Sequence, residues 1–520
     1  MRIAIYDAWL HTLGGGEKHM LTAAVALSEL HEVHVHSHIR VSKGMLETAT
    51  GLSLDNLALC ARPNVPDQFL LRQFKQYDLF INATHDSLLP NPCGKGIRLL
   101  FFPPPRPNRI AAGAAHALAA SARSLGIPQL TLGFYGPERI GRGWFRNSSN
   151  TAEITIPSPG RNRLRFMAAN ASEKPKIVTI LAGGREIHSV EIPPTGGDFV
   201  PVGPLAVGSI DDRALNLQLE ISGSASTIHS ASAEDREIGI AVADPHTDSI
   251  IQIPYRLLTQ RIFPRFGEEM ERISSSAGRA ALTSYDSIVA NSNFTAEWLW
   301  NWWSLPSQVV HPPVDQINLS AQTYLKSPEI LSVGRFFVGG HNKNHKVMVQ
   351  AFSQMVRGGL TGWKLRLIGA TGSTAADRSY LSNLRSLADG MPIEVETDVD
   401  VTRLHDAYRR ASIYWHAAGF GQNERRDPGA FEHFGIAPLE AMSAGAVPIV
   451  FDGGGVRESV ENGKSGFLWK SESQLQEISW RLIRDAGMRQ KMAGAALARS
   501  KDFSPDKFRR DFSDIVKNLQ

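Results

Sequence analysis

Two carboxylates eight positions apart bracket the run Glu432-His433-Phe434-Gly435-Ile436-Ala437-Pro438-Leu439-Glu440. Pro438 falls where the first turn of a helix tolerates proline, because that position needs no backbone N–H. Gly445 suits a helix end, and residues 447–451 (Val-Pro-Ile-Val-Phe) suit a buried strand. The spacing therefore predicts a short helix whose N-terminus faces the carboxyl-end crevice of a parallel sheet. There the backbone N–H groups of Phe434, Gly435, Ile436 and Ala437 can reach a phosphate. Two surface glutamates on an ordinary αβ unit would account for the pair alone, but the run continues through Asp452-Gly453-Gly454-Gly455 to Glu458.

A second group of residues precedes it. The strand-like segment 330–334 leads into Arg335, and Lys343 follows in a loop rich in glycine and asparagine. A guanidinium and an ammonium fixed at a strand end can stabilise a diphosphate, and the charge it gains as a leaving group, without a metal. As lone cations they would be solvated loop residues. His416 closes a strand over 413–415 and fits a ligand contact or a hydrogen-bonded histidine at a loop start equally well. Near the amino end, Leu13-Gly14-Gly15-Gly16-Glu17-Lys18 lies between the first strand and the first helix. Gly15 and Gly16 permit close backbone approach, or simply a turn.

The 432–458 run resembles the signature of the retaining, metal-independent glycosyltransferases of the GT-B fold, family 4 (glycosyl transferases group 1). The resemblance implies that Arg335 and Lys343 bind the donor diphosphate and act in catalysis with Glu432, beside the transferred sugar. Nucleophile and electrostatic stabiliser are both open to Glu432. It further implies that Glu440 holds the donor ribose, that residues 434–437 meet the phosphates, and that His416 touches the donor base or sugar. The Gly15-Gly16 loop resembles the family's Gly-Gly-Ala-Glu loop, which approaches donor phosphate and acceptor. One departure stands out. Related enzymes often carry a histidine on the donor sugar in a His-Phe-Pro-like run, whereas this chain reads Leu100-Phe101-Phe102-Pro103, with Phe101 in that place and His85 as a substitute.

The elements that must position these groups follow from periodicity. Short apolar strands at 2–6, 32–37, 79–83 and 96–102 alternate with helical stretches, one of them over 111–123. From 133 to about 255 helical periodicity gives way to short β-like runs, at 152–156, 163–168, 176–181, 187–192, 215–221, 238–243 and 250–253. Helices return over 257–276, residues 311–315 form a proline-stiffened hinge, and a second αβ unit has strands at 330–334, 364–368, 393–396, 413–415 and 447–451. The expected fold class is α/β: two Rossmann-like doubly wound domains with an inserted antiparallel β-sandwich. Residues 1–132 and 256–310 form the acceptor domain, 133–255 the sandwich, and 311–520 the nucleotide-sugar donor domain, whose last helix packs back on the first domain.

Composition bounds the partners. A net charge of +4 over 520 residues gives no reason to expect nucleic-acid binding. Cys60 and Cys93 give neither a disulfide framework nor metal-ligand spacing, and Asp398 and Asp400 read as a helix-capping loop rather than a metal clamp. No metal or cofactor is expected; the nucleotide-diphosphate sugar is a substrate, and a glycan or lipid-linked saccharide is the acceptor. Met1-Arg2 leads directly into a strand, so a cytoplasmic location is expected. Trp298, Trp300, Trp302 and Trp303 suit packing on the sandwich or hinge; beside Arg261, Arg265 and Arg272 they also suit peripheral contact with the inner membrane. Nothing in the sequence sets an oligomeric state. The alternatives are a non-catalytic sugar-binding scaffold on the same fold, or a GT-B nucleotide-sugar epimerase.

Overall fold

The first strand, Arg2–Tyr6, is buried from its second residue onward and lies inside a seven-stranded sheet in the computed structural model. The structure describes the chain except residues 9, 13, 63–66, 86, 88, 105–120, 123, 131–132, 141–142, 158–162, 197, 208–214, 223–225, 230–234, 263–277, 318–325, 340–341, 372–374 and 520. Most of the helix expected over 111–123 lies outside the described residues, as do Leu13, Arg265 and Arg272. Across the sheet the strands run Gln308–Val309, Ser287–Ala290, Lys95–Leu100, Leu79–Asn82, Arg2–Tyr6, Glu32–Ser37, Leu57–Ala61, all parallel. Sequence order reverses about Arg2–Tyr6, so the loop after that strand opens at a topological switch point. Helix Gly15–Ser28 lays Met20, Leu21, Ala24 and Leu27 on Ile3, Ile5, Val33 and Val35. The last helix, Pro505–Asn518, brings Phe508, Phe512, Ile515 and Val516 into this same core.

Leu99 pairs with Val289 although the two are far apart in sequence, so the intervening chain leaves this sheet and returns to it. Much of it forms two five-stranded antiparallel sheets. One is ordered Val200–Ala206, Arg163–Ala169, Ala241–Thr247, Gly143–Ser148, Phe134–Ile140, the other Arg185–Ile192, Lys176–Ala182, Leu215–Ser222, Thr151–Ile156, Gln129–Leu130. Leu215–Ser222 alternates strictly between buried and exposed residues, and its Leu217 and Leu219 share one core with Leu164, Phe166 and Val242 of the facing sheet. The first sandwich strand is thus Gln129–Leu130 and the last Ala241–Thr247, a few residues earlier than the expected limits of 133 and 255. The segment 250–253 is not a strand: a 3-10 turn, Ile250–Gln252, passes into helix Ile253–Arg256. Gln252 turns the chain back, its amide donating to the Gly126 carbonyl at 3.0 Å and to Thr247 Oγ1 at 2.9 Å, and its oxygen accepting from Thr247 N at 3.0 Å.

The C-terminal sheet has six parallel strands in the order Ile393–Thr397, Lys364–Gly369, Ser327–Val333, Ala411–His416, Val447–Phe451, Phe467–Trp469. Order reverses between Ser327–Val333 and Ala411–His416, so the loops after these two neighbours share one crevice. Those loops carry Arg335 and Lys343 on one side and His416 through Gly435 on the other. Asp400 caps helix Val401–Arg410 by accepting from Arg403 N at 2.8 Å, and Asp398 accepts from Thr371 N at 3.1 Å, so both act as backbone caps.

Candidate functional site

Asn344 ties the two crevice loops together. It precedes helix His345–Arg357 with a φ of 53°, and its side-chain amide donates to the carbonyls of Ala417 at 2.9 Å and Phe420 at 3.1 Å. Lys343 is thereby held at the carboxyl end of its strand, with Nζ 2.5 Å from Glu432 Oε2. His416 Nε2 reaches the same oxygen at 3.1 Å. Burial works against the Glu432 charge, but the Lys343 ammonium and the bond from His416 outweigh it and hold the carboxyl well below the usual range. Burial also lowers the His416 pKa, more than Glu432 raises it, so the imidazole is neutral and donates from Nε2. Glu432 Oε1 has no donor among the described residues.

The glycine run 453–455 holds the Glu432 backbone. Gly455 N donates to the Glu432 carbonyl at 2.7 Å, and a Cβ on Gly455 would lie 2.0 Å from the His433 carbonyl oxygen. No rotamer relieves an overlap between backbone and Cβ. Gly455→Ala is therefore expected to cost about 1–3 kcal/mol of stability, the range for forced overpacking, seen as a lower denaturation midpoint. An unchanged midpoint would mean that this backbone contact is not close in solution.

Glu440 forms a second centre. Gly435, with a φ of 98°, leads into helix Ile436–Ser443, whose first-turn N–H groups have no intrahelical acceptors. Glu440 Oε2 accepts from Tyr408 Oη at 2.8 Å. Burial pushes the Glu440 carboxyl up, against the opposing effects of the Tyr408 hydrogen bond and the Lys18 charge. Its other oxygen has no donor among the described residues. Lys18, on the first helix, makes an ion pair with Asp315 of the hinge.

The amino-end loop sits on the head of this helix: a Cβ on Gly15 would be 3.0 Å from Ile436 Cδ1, and one on Gly16 would be 3.5 Å from the Phe101 ring. Phe101 also meets buried His19 edge-on at 5.6 Å, so it packs under the glycine loop in the place expected for a histidine. His85 lies in the turn after Leu79–Asn82. Arg335 is exposed over the Phe337 ring at 5.7 Å and makes no salt bridge among the described residues. The structure thus gathers Lys343, His416 and Glu432 at one point and Glu440 with Tyr408 at another, and it seats Gly15 on Ile436, the first residue of the Glu440 helix. Sequence reasoning missed Tyr408, Lys18 and the stack of Phe102 on His433; Tyr408 belongs to a helix remote in sequence from Glu440, and no local pattern marks it.

One described group could hold a metal: His34, His36 and Cys60, with ligand atoms within 4.8 Å of one another. Arg62 Nε donates to His36 Nδ1 at 3.1 Å, and Tyr77 Oη bonds His36 Nε2 at 3.1 Å and His34 Nδ1 at 2.8 Å. His34 Nε2 lies 3.0 Å from Glu32 Oε1, so the four ring nitrogens are engaged and a guanidinium adjoins them. The group belongs to the first sheet's second and third strands, not to the crevice.

Two Rossmann-like domains, each with its loops opening at a switch point, make up the two-domain architecture of the GT-B fold. Residues 315–499 match the model of the glycosyl transferases group 1 family. Among curated proteins the chain is similar to human GDP-Man:Man(3)GlcNAc(2)-PP-Dol alpha-1,2-mannosyltransferase, 26% identical over 255 residues, covering 45% of this chain and 49% of that protein. It is also similar to human alpha-1,3/1,6-mannosyltransferase ALG2, 36% identical over 90 residues, 17% of this chain and 22% of that protein. The chain spans half or less of the length of these relatives. Among solved structures it shares the fold of a glycosyltransferase from Rickettsia africae (TM-score 0.51, 12% identity, 100% of this chain and 98% of that one). It likewise shares the fold of Anabaena HepE in complex with UDP (TM-score 0.50, 12% identity, 100% of each chain).

Proposed function

We propose that the chain transfers a hexosyl group from a nucleotide-diphosphate sugar to a glycan or lipid-linked saccharide, with retention and without a metal. The observation that carries this reading is the pair of glutamates, each with one oxygen engaged by the protein and one without a donor among the described residues. Glu440 Oε1 can accept from a ribose hydroxyl. Glu432, ionised and braced by Lys343 and His416, can present Oε1 to the positive charge that develops at an anomeric carbon. The helix N-terminus at Gly435–Ala437 and the cation Arg335 supply positive charge for the diphosphate. Closure of the two domains would exclude water from the reacting bond. The pyrophosphoryl-dolichol named for the human relative supports a lipid-linked acceptor. No described helix is long and apolar enough to cross a membrane.

A thermal-shift screen of UDP, GDP and ADP sugars tests the donor, since a ligand at a hundred times its Kd adds about 2.7 kcal/mol of stability. The nucleotide sugar that stabilises the protein should then be hydrolysed slowly without acceptor, which a scaffold would not do. Transfer should persist in EDTA, since Asp398 and Asp400 are committed to backbone caps. Activity abolished by EDTA and restored by manganese would refute metal independence.

A further inference from the structure

The Glu458 carboxylate belongs to the C-terminal domain, yet most of its bonds are to the N-terminal one. It accepts from Asn293 N at 2.9 Å, Asn293 Nδ2 at 2.8 Å and Phe294 N at 2.8 Å, and His311 Nε2 of the hinge lies 3.0 Å away. Asn293 and Phe294 open helix Asn293–Trp303, and the Ser292 side chain caps only Thr295 N, at 3.0 Å. A helix leaves four N-terminal N–H groups without internal acceptors and favours negative charge at that end. Glu458 therefore supplies across the cleft the caps that a local side chain does not. These bonds hold its pKa below the ordinary carboxylate value although burial opposes the charge. Beside this contact Phe102 of the first domain stacks on His433 of the second, ring centres 4.0 Å apart and 10° from parallel. Phe102, Phe294 and Phe431 share one buried cluster that spans both domains.

Glu458 also lies three residues beyond Gly455, whose N–H holds the Glu432 carbonyl. We propose that Glu458 is a positioning residue: together with the Phe102–His433 stack it clasps the two α/β domains at the angle that seats the Gly15 loop on Ile436, and it couples that angle to the placement of Glu432. The kinetic part of this inference rests on the transfer activity proposed above; the geometric part does not.

Two variants approach the clasp from opposite sides of the cleft. Glu458→Gln puts an amide donor where backbone donors converge. Asn293→Asp turns a carboxylate oxygen toward Glu458 and leaves the C-terminal domain untouched, so it remains informative if the first variant fails to fold. Small-angle scattering of the full ligand-free chain should show a larger radius of gyration for both variants than for wild type. Turnover should fall about tenfold or more, the scale of a lost charge-assisted bond. Affinity for the free nucleoside diphosphate, which rests on the C-terminal domain, should change less than about twofold, as read by calorimetry. Scattering identical to wild type in folded variants overturns the clasp. A parallel loss of nucleoside diphosphate affinity overturns it too, because Glu458 would then act through its own domain. If wild type turns over no nucleotide sugar, the functional reading fails, and scattering alone still decides the clasp.

Discussion

Arg335→Ala is expected to lower transfer turnover by about a hundredfold, the loss that follows removal of one preorganised donor to transition-state charge. The two cations stand in one loop and differ in their partners. The Lys343 ammonium is paired with Glu432, so part of its charge is already answered within the protein. Arg335 is exposed, lies two residues beyond the end of strand Ser327–Val333 and makes no salt bridge among the described residues. Its planar fork can grip two phosphate oxygens, which a lysine cannot match. Loss of the side chain removes a contact with Phe337 and leaves the buried core alone, so circular dichroism and the melting temperature should match wild type. A variant that retains most of its turnover would take Arg335 out of the site.

The parts of this molecule that were legible in the sequence are those where one local rule decides. The strands Arg2–Tyr6 and Val447–Phe451 read correctly because parallel strands covered on both faces are continuous apolar runs. The glutamate-bracketed helix was legible because proline, glycine and a following strand all agreed on its ends. The segment 250–253 misled for a physical reason. Three isoleucines around Gln252 look like a buried strand, yet Ile250 is 77% exposed, Ile251 57% and Ile253 46%, because Gln252 bonds back to Thr247 and Gly126 and turns the chain. Tertiary hydrogen bonding by one buried amide overrode β propensity there.

The site was legible in its types and not in its pairings. Glu432, Lys343 and His416 each carried a signal, but that all three converge on one carboxylate oxygen is a consequence of which strands adjoin at the switch point. Tyr408 and Glu458 acquire their roles only through packing. The first meets Glu440 from a different helix, and the second meets a helix N-terminus from the other domain. Phe101 shows the converse. Its identity was a conspicuous departure from the family pattern, and the structure gives it a packing role against Gly16 and His19 that any sugar contact would have to share.

The two glutamates should separate cleanly in function. Glu440→Gln keeps the shape and the Tyr408 contact but removes a charge-assisted acceptor for a ribose hydroxyl, a loss of roughly 1.5–3 kcal/mol. Nucleoside diphosphate affinity should therefore weaken about tenfold to a hundredfold. Glu432→Gln should instead lower turnover by about a hundredfold or more, since the charge facing the anomeric carbon is gone. It also frees Lys343 from its carboxylate partner, so diphosphate affinity should hold or rise. Acid titration gives a second readout with opposite signs. The Glu432 pKa lies below its ordinary 4.5, so its contribution to stability is present above that value and is lost as pH falls through the folded one. The Glu440 pKa is raised, so its carboxyl costs stability at neutral pH, and that cost is relieved as pH falls. Stability curves should accordingly lose part of their acid fall in Glu432→Gln, whereas Glu440→Gln should be the more stable of the two at neutral pH. Calorimetry with the free diphosphate, a turnover assay and pH-dependent melting of both variants supply the contrast. If both lose nucleotide affinity equally, or neither does, the assignment of separate ribose and sugar roles is wrong.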